Sequence, residues 1–330
     1  MVSLTEVKSS NSLIPSTLTP GLVAVFVGAT SGIGESTLKA FAKYAKQPRA
    51  YFVGRSRDAA DRIVAECEAL NPEGEYIFIQ ADISLIRVVD DVCEQIKAKE
   101  SALNMLVLSA GVPLLDRSET SEKLHALPAL IYYSRMRFIT NMLPLLQCGA
   151  SLRRVVTVAG GTHEGLLDPT DFPALRLPLK ELRGHLASLV TLGLEAVSRI
   201  APDVSFIHCH PGSVDTPLFR HMHGQPGKQS PFEVSMVPIE ESGERHLYLA
   251  TSSRFPARQG NSASVPLPDG TDISIGTTGT IGGGVYSVGS DCETASPHVK
   301  KLLTELRDKG MIEEIWNHTE EEFKQICGPR

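Results

Sequence analysis

Length, composition and charge limit what kind of protein this is. The chain has 330 residues, 42% of them hydrophobic, enough to bury one large core or two smaller ones. A net charge of −6 gives no reason to expect nucleic acid or a membrane as partner. The six cysteines are scattered singly, so we expect reduced thiols in a cytoplasmic protein. Residues 1–19 lack the apolar run of a signal peptide, and we expect a flexible leader there.

The first predicted elements are a strand, a glycine turn and a helix. Val23–Val27 is apolar at every position, as the strands of a parallel sheet are. In the turn that follows, glycines permit a tight bend and close backbone approach, and the helix start offers N–H groups to a pyrophosphate. Taken alone, the glycine pattern also fits a flexible turn. The residues that we expect around a dinucleotide here are Gly28, Thr30, Ser31, Gly32, Ile33 and Gly34.

The second predicted strand, residues 50–53, indicates which dinucleotide is bound. It ends at Gly54-Arg55-Ser56-Arg57, about twenty residues past the glycine turn. An acidic residue there would bind the ribose 2′-hydroxyl of NAD, whereas arginine suits the 2′-phosphate of NADP. Arg55 therefore predicts NADP, the alternative being a solvated loop cation.

Strand and helix patterns continue to alternate along the chain. We predict further strands at 76–79, 105–108, 154–158, 204–210 and 285–288, and helices at 58–70, 85–99, within 121–146 with a break near Pro128, 179–199 and 240–251. This order predicts an α/β fold, a doubly wound parallel sheet of the Rossmann type with about seven strands, as one domain over 20–330.

Three segments interrupt or follow that alternation. Residues 218–237 contain Gly, Pro, His and Met and lack periodicity, which predicts an irregular segment. Residues 258–284 are rich in Gly, Ser, Thr and Pro, which predicts a loop insertion. Two amphipathic stretches within 291–330 predict a C-terminal helical extension.

The glycine spacing resembles that of the short-chain dehydrogenase/reductase family. Three further motifs match in the same order, each after a predicted strand: Asp-Ile at 82–83, Ser-Ala-Gly at 109–111 and Pro-Gly-Ser-Val-Asp-Thr at 211–216. The resemblance implies that more residues contact the cofactor: Asp82, Ile83, Ser109, Ala110, Gly111, Pro211, Gly212, Val214 and Thr216.

The catalytic pattern departs from that family. Its members carry Tyr-x-x-x-Lys on the helix before the Pro-Gly turn, where the lysine lowers the phenol pKa, and a serine after the preceding strand. Here no tyrosine lies between Tyr133 and Tyr248. Counting back from Pro211, the tyrosine position falls at 181–183 and the lysine position at 185–187. The serine position reads Ala-Gly-Gly, at 159–161.

Three side chains are candidates to replace the missing acid: His163, His185 and Tyr133. The alternatives are surface or capping histidines and a core aromatic ring. Arg135 and Arg137 suggest an acidic substrate, unless they are surface arginines. His208 and His210 share a strand face, but no third ligand is apparent, so we predict no metal.

Three functions stay open at this point. The first is an NADP(H)-dependent oxidoreductase with an atypical proton donor; the second is a non-redox cyclase, isomerase or dehydratase; the third is a catalytically silent nucleotide-binding protein. The segments 154–161, 205–208 and 302–323 resemble a Tyr/Lys-lacking subset of the family found in fungal specialised metabolism. That resemblance implies a polyketide- or terpenoid-like small-molecule substrate. In the family, the helix corresponding to 179–199 contributes to a subunit interface, which implies a possible homo-oligomer; the alternative is that its apolar stripe belongs to the core. The resemblance also implies a substrate lid at 218–237, the alternative being an uninvolved surface loop.

Overall fold

The computed structural model describes residues 1–112, 118–223, 236–260, 263–268 and 270–328, except for the side chains of 221–223. Its strands are β1 Val23–Val27, β2 Arg49–Gly54, β3 Glu75–Gln80, β4 Met105–Leu108, β5 Arg154–Val158, β6 Ser205–Cys209 and β7 Val285–Val288. The predicted alternation of strands and helices is confirmed, with bounds that differ by a residue or two at most elements.

These strands form one sheet in the order β3-β2-β1-β4-β5-β6-β7, and every neighbouring pair is parallel. In the register of the sheet, Val25 of β1 lies beside Tyr51 of β2 on one side and Leu106 of β4 on the other. From β1 the chain adds β2 and β3 on one side and then β4 on the other, so the strand order reverses between β1 and β4. A doubly wound fold opens a crevice at this point, at the carboxyl ends of its strands. The Rossmann-type fold is therefore confirmed.

Helices cover both faces of the sheet. They are α1 Leu4–Ser12, α2 Ile14–Thr17, α3 Gly32–Tyr44, α4 Arg57–Leu70, α5 Ile86–Lys97, α6 Ala126–Pro128, α7 Ser134–Gln147, α8 Leu179–Ile200, α9 Pro217–His223, α10 Ile239–Thr251, α11 Pro297–Asp308 and α12 Met311–Cys327. One apolar cluster lies under α5, α7, α8, α11 and α12, and a second lies under α1, α3, α4 and α10. Because both faces are buried, β1, β4, β5 and β6 are apolar along most of their length.

The first residues of the chain differ from the expected flexible leader. Ser3 and Glu6 form a capping box that starts α1, and the side chain of Val7 is fully buried. Asn11 Nδ2 donates hydrogen bonds to the carbonyl oxygen and to Oε2 of Glu244 on α10, at 2.9 and 2.7 Å. Residues 1–19 therefore include a helix docked on the domain, which a sequence rich in Ser and Thr did not indicate.

The predicted break near Pro128 is a change of helix type. After α6, residues Ala129–Tyr133 form a π-helical turn, and α7 begins at Ser134. Proline has no N–H to continue an α-helical ladder, so the chain rearranges directly after it.

The predicted C-terminal extension packs on the same face as α7 and α8. Arg307 of α11 pairs with the buried Glu195 of α8 at 2.9 Å. From α12, Thr319 exchanges a 2.6 Å hydrogen bond with the buried Tyr132. Of the candidate lid, residues 224–235 lie outside the described residues, as do 261–262 and 269 of the predicted loop insertion.

Candidate cofactor and active site

The glycine turn after β1 is shaped by contact with the turn after β4. Gly28 has φ +82°, and a Cβ there would lie 2.5 Å from the backbone N and Cα of Ala110. A Cβ on Gly34 would lie 2.3 Å from Ser109 Oγ, which donates to the carbonyl oxygens of Val27 and Gly28 at 3.1 and 3.2 Å. Side chains at either glycine would separate the two turns.

The start of α3 provides a place for an anion. Its N-cap residue is Ser31, whose side chain makes no capping hydrogen bond to the helix. Gly32 follows with φ +63°, a conformation that glycine adopts without strain. The first N–H groups of α3 are thus left for a ligand, and the positive end of the helix dipole favours a phosphate.

Most of the predicted cofactor residues line one cleft along the carboxyl ends of β1 to β4. Those that line it are Gly28, Thr30, Ser31, Gly32, Ile33, Arg55, Asp82, Ile83, Ser109, Ala110, Gly111 and Thr216. Nine further residues line the cleft and were not among the predicted cofactor residues: Val53, Gly54, Ala81, Ser84, Val112, Ala126, Leu130, Pro217 and Leu218. Ala126 and Leu130 are four residues apart, a helical spacing that gave the only sequence signal for them.

Four predicted cofactor residues do not line this cleft. Gly34 packs beneath it against Ser109. The segment after His210 turns at Gly212, which has φ +77°, and continues to the buried Val214, which pairs with Val237. Pro211, Gly212 and Val214 therefore shape the segment that delivers Thr216 to the cleft. The family motifs therefore include two kinds of residue, those that line the cleft and those that position the lining residues. The sequence alone did not tell the two kinds apart.

Arg55 is exposed at the wall of the cleft where β2 ends. Within the described residues its guanidinium has neither an ion-pair nor a hydrogen-bond partner, and its carbonyl oxygen accepts a hydrogen bond from Gln80. The neighbouring Arg57 lies outside the cleft, with its guanidinium 4.7 Å from the ring centre of Phe78. Arg55 is thus free to bind a phosphate.

The cleft offers the groups that a dinucleotide needs for binding. A Cβ at Gly28 would collide with Ala110, the Ser31 side chain does not cap the α3 N–H groups, and the Arg55 guanidinium has no partner among the described residues. Glycine, helix start and free cation are the features that a pyrophosphate and a 2′-phosphate require. The residues present fit a nicotinamide dinucleotide.

Beyond this cleft, a buried hydrogen-bond chain holds the loop after β5. The N–H of Gly160 donates to His208 Nε2 at 3.0 Å, so His208 carries its proton on Nδ1 and donates to Thr191 Oγ1 at 2.8 Å. The Thr191 hydroxyl in turn donates to Glu164 Oε1 at 2.7 Å. Burial lowers the pKa of His208 to about 3, so this imidazole is neutral and forms no ion pair with Glu164.

Arg135 occupies the space between the ends of β4 and β5. It is fully buried, and its guanidinium donates to Ala110 O at 2.7 Å, Val158 O at 2.9 Å and Thr157 Oγ1 at 2.5 Å. No carboxylate among the described residues pairs with it, and burial lowers its pKa to about 10. The guanidinium therefore ties two strand ends together at the point where the dinucleotide cleft ends.

Three basic side chains gather at the ends of β5 and β6. Arg183 Nη2 lies 3.3 Å from each ring nitrogen of His210. The His163 ring meets the His210 ring edge-on, with ring centres 4.4 Å apart. Burial and the charges of Arg183 and His163 lower the pKa of His210 to about 4, so it is neutral at neutral pH.

Several known proteins are similar to this chain. The family model for short chain dehydrogenase matches residues 22–158. The chain is 38% identical to oxidoreductase AN1596 of Emericella nidulans over 97% of each chain. It is 36% identical to oxidoreductase andH of Emericella variicolor, covering 99% of this chain and 98% of that one. Short-chain dehydrogenase/reductase SAT2 of Stachybotrys chartarum is 31% identical over 90% of each chain.

The chain belongs to the short-chain dehydrogenase/reductase family. Among solved structures, an L-sorbose reductase from Gluconobacter frateurii, complexed with NADPH and L-sorbose, is similar with a TM-score of 0.55 and 18% identity, over 72% of this chain and 91% of that one. YwfH, an NADPH-dependent reductase involved in bacilysin biosynthesis, is similar with a TM-score of 0.57 and 14% identity, over 76% and 100%. Both share the fold. The protein is accordingly an oxidoreductase of this family, with a cleft for a nicotinamide cofactor.

In this short-chain dehydrogenase/reductase, α8 carries no tyrosine. Ala187 packs against the loop after β5, where a Cβ on Gly160 would lie 3.2 Å from the Ala187 Cβ. Arg183 is one helical turn earlier on the same side of α8. Arg183 and Ala187, which are four positions apart on α8, are therefore the two residues that face the strand ends.

Two of the three predicted proton donors lie away from the cleft. Both ring nitrogens of the buried His185 are occupied, Nδ1 by the N–H of Asp168 at 3.3 Å and Nε2 by Phe172 O at 3.1 Å. The hydroxyl of Tyr133 bonds His318 Nε2 on α12 at 2.7 Å, and burial raises its pKa well above the usual value. His185 therefore anchors the loop that contains Asp168 and Phe172, and Tyr133 anchors α12. Of the three predicted proton donors, His163 alone lies at the strand ends.

Other polar candidates also have structural partners. Arg137 pairs with Asp90 on α5 and covers the ring of Phe323 on α12, so it is not free to bind an acidic substrate. Among the described residues, no three His, Cys, Asp or Glu side chains form a metal-binding group. In the part of the chain that the structure describes, no helix has the length and apolar character to cross a membrane.

Proposed function

We propose that the protein is an NADP(H)-dependent oxidoreductase that acts on a carbonyl or hydroxyl of a polyketide- or terpenoid-like small molecule. The observation that carries this proposal is Arg55, whose guanidinium has no partner in the described part of the chain, on a cleft lined by twelve of the predicted cofactor residues. Fungal relatives that span the whole chain bear the name oxidoreductase, which supports a redox role in specialised metabolism.

The cofactor would lie along the carboxyl ends of the strands. The turn at Gly28 and the start of α3 would hold its pyrophosphate, Asp82 and Ile83 its adenine end, and Arg55 its 2′-phosphate. When bound, this cofactor supplies or accepts the hydride. The protein's own part is to fix the position of both reactants and to handle one proton.

His163 is our candidate for the proton donor in the direction of reduction. Its Nδ1 lies 3.1 Å from the carbonyl oxygen of Gly161, to which it donates, and this fixes the ring. Among the described residues nothing hydrogen-bonds Nε2. Because Nδ1 keeps its proton on the Gly161 carbonyl oxygen, the ring would donate from Nε2 as an imidazolium and be left as a neutral imidazole. General acid catalysis contributes roughly 10²–10⁴-fold, so His163→Gln should slow turnover by that factor without weakening NADPH binding.

Cofactor choice is the part of this proposal that can be tested without a substrate. Calorimetry should show NADPH binding more tightly than NADH. Arg55→Ala should weaken NADPH binding about 10- to 100-fold, because a hydrogen bond to a charged group is worth roughly 1.5–3 kcal/mol, and should leave NADH binding unchanged. Arg57→Ala is the matched control and should change neither affinity. Equal affinity for the two nucleotides in the wild-type protein would refute the assignment of Arg55.

A non-redox enzyme is the second candidate, favoured by the absence of a tyrosine from α8. The two functions differ in what becomes of the cofactor. Incubation with candidate polyketide and terpenoid ketones, followed by NADPH absorbance and product mass, separates them. A product heavier by two hydrogen atoms with equal NADPH consumption supports the oxidoreductase. An isomeric or dehydrated product with no NADPH consumed supports the cyclase, isomerase or dehydratase.

A further inference from the structure

The contacts among Arg183, His210 and His163 involve no carboxylate of the described residues. We name these three side chains the basic cluster. Nine other arginines of the described chain form ion pairs with carboxylates: Arg49, Arg62, Arg137, Arg153, Arg199, Arg220, Arg245, Arg254 and Arg307. Arg183, like Arg55 and Arg135, has no such partner among the described residues. It differs from both in that the side chain it contacts is an imidazole.

The cluster keeps its positive charge. A neutral His210 accepts a hydrogen bond from Arg183 without cancelling any charge, because an imidazole acceptor is uncharged. Only part of the guanidinium is used by this contact, and the side chain is exposed. The guanidinium therefore has donors left for a ligand, and its planar fork matches two oxygen atoms in one plane.

The cluster adjoins the cofactor cleft. His210 directly follows β6 and His163 belongs to the loop after β5, so both lie at the carboxyl edge that also carries the cleft. The segment from His210 leads within six residues to Thr216, a lining residue of the cleft. Since β4 and β6 are two strand spacings apart, about 10 Å, a substrate that reaches Ala110 can also reach the cluster.

We propose that Arg183, together with His210 and His163, binds a planar oxygen anion of the substrate, either a carboxylate or the enolate of a 1,3-dicarbonyl. The inference rests on the proposed function, because the reacting carbonyl or hydroxyl must lie between this anion and the cofactor. The positive end of the α8 dipole, one turn before Arg183, adds to the attraction. Arg183 is then a specificity-determining residue, and neutral ketones of the same shape bind poorly.

The test uses two small anions in place of the unknown substrate. Benzoate carries a carboxylate, and dimedone, a cyclic 1,3-diketone, is mainly enolate at neutral pH. Each is titrated into the full-length protein, with and without saturating NADP⁺, while the ring resonances of His163 and His210 are followed by NMR. We expect saturable shifts of both rings with at least one probe. The probe that binds identifies the kind of anion.

Two variants show whether Arg183 is responsible. Arg183→Gln should weaken binding of the probe about tenfold or more, which corresponds to about 1.4 kcal/mol. Arg199→Gln is the matched control, an exposed arginine of the same helix that pairs with Glu313, and it should bind the probe like the wild type. Folding of each variant is checked by its NADPH affinity, which neither substitution should change.

Two results would overturn the proposal: neither probe moves the two histidine rings, or Arg183→Gln binds the probe as tightly as the wild type. Failure of the wild-type protein to bind NADPH is a different result, which refutes the proposed function. Because the anion titration is also run without nucleotide, it still decides whether the basic cluster binds an oxygen anion.

Discussion

The two halves of the sheet edge differ in what holds a ligand. At the ends of β1 to β4, the site is built from glycines, a helix start and short side chains, and twelve predicted residues line one cleft. At the ends of β5 and β6, the site is built from Gly160, a buried His208 chain and the basic cluster. The family-model match ends at residue 158, the last residue of β5, so it covers the first half and stops before the second.

This difference separates binding from chemistry. A pyrophosphate is held mainly by backbone N–H groups, which any sequence can supply once the glycines permit the turn. Proton transfer depends on the side chain itself, its pKa and its reach, so a change of residue changes the chemistry. In this protein the glycine turn that would hold the pyrophosphate is present, and α8 carries no tyrosine.

The largest change in stability and cofactor binding that we expect comes from a substitution at the ends of β1 to β4. Gly28→Ala should lower the free energy of unfolding by about 3–5 kcal/mol and abolish NADPH binding, because it combines a positive φ with a collision against Ala110. Gly21→Ala is the matched control, since Gly21 has φ +79° with nothing within 4 Å of its Cβ position, and should cost only about 1–2 kcal/mol. Urea unfolding and calorimetry measure both. Equal losses in the two variants would contradict the contact between the turns.

The next effect concerns the junction of the two halves. Arg135→Met should destabilise the protein by about 2–4 kcal/mol, since it leaves the carbonyl oxygens of Ala110 and Val158 without a donor. It should also weaken NADPH binding, because Ala110 lines the cleft. Arg154 is equally buried but donates to Leu249 O and Ser252 O at the other end of β5, so Arg154→Met should cost stability alone. Loss of NADPH affinity in both variants would show that neither arginine acts locally.

The smallest effect lies within the second half and depends on pH. Burial lowers the pKa of His208 to about 3, whereas the pKa of a histidine in the unfolded chain is about 6.5. Below pH 6.5 the unfolded chain therefore binds a proton at this residue and the folded chain does not. Stability from this group is present above pH 6.5 and is lost as pH falls, by about 2 kcal/mol between pH 7 and 5.

Urea unfolding of His208→Gln at both pH values isolates this contribution. The difference in stability between pH 7 and pH 5 should shrink by about 2 kcal/mol in the variant. Thr191→Val removes the partner but keeps the histidine, so it should lower stability at both pH values and retain the difference. If His208→Gln has the wild-type pH dependence, the imidazole is not the neutral link in the Gly160–Glu164 chain.

The sequence was sufficient where periodicity and glycine positions determine the structure. Apolar strands such as β1 and β5 follow directly from their residues, and Gly28 marks a turn that only glycine fits. It was insufficient where a polar side chain has two possible partners. From the sequence, His163, His185 and Tyr133 are all candidates to move a proton. Tertiary contacts with Phe172 and His318 show that His185 and Tyr133 are engaged elsewhere. Those contacts join positions 13 and 185 residues apart, which no local pattern records.

One NMR titration tests most directly whether the cleft and the basic cluster form a single active site. NADP⁺ is added to the wild-type protein while the ring resonances of its histidines are recorded, with His163→Gln and His185→Gln used for assignment. Our account predicts saturable shifts for His163 and His210, because the nicotinamide end reaches β5 and β6, and little change for the buried His185. Shifts confined to His185, or no response to the nucleotide at all, would contradict it.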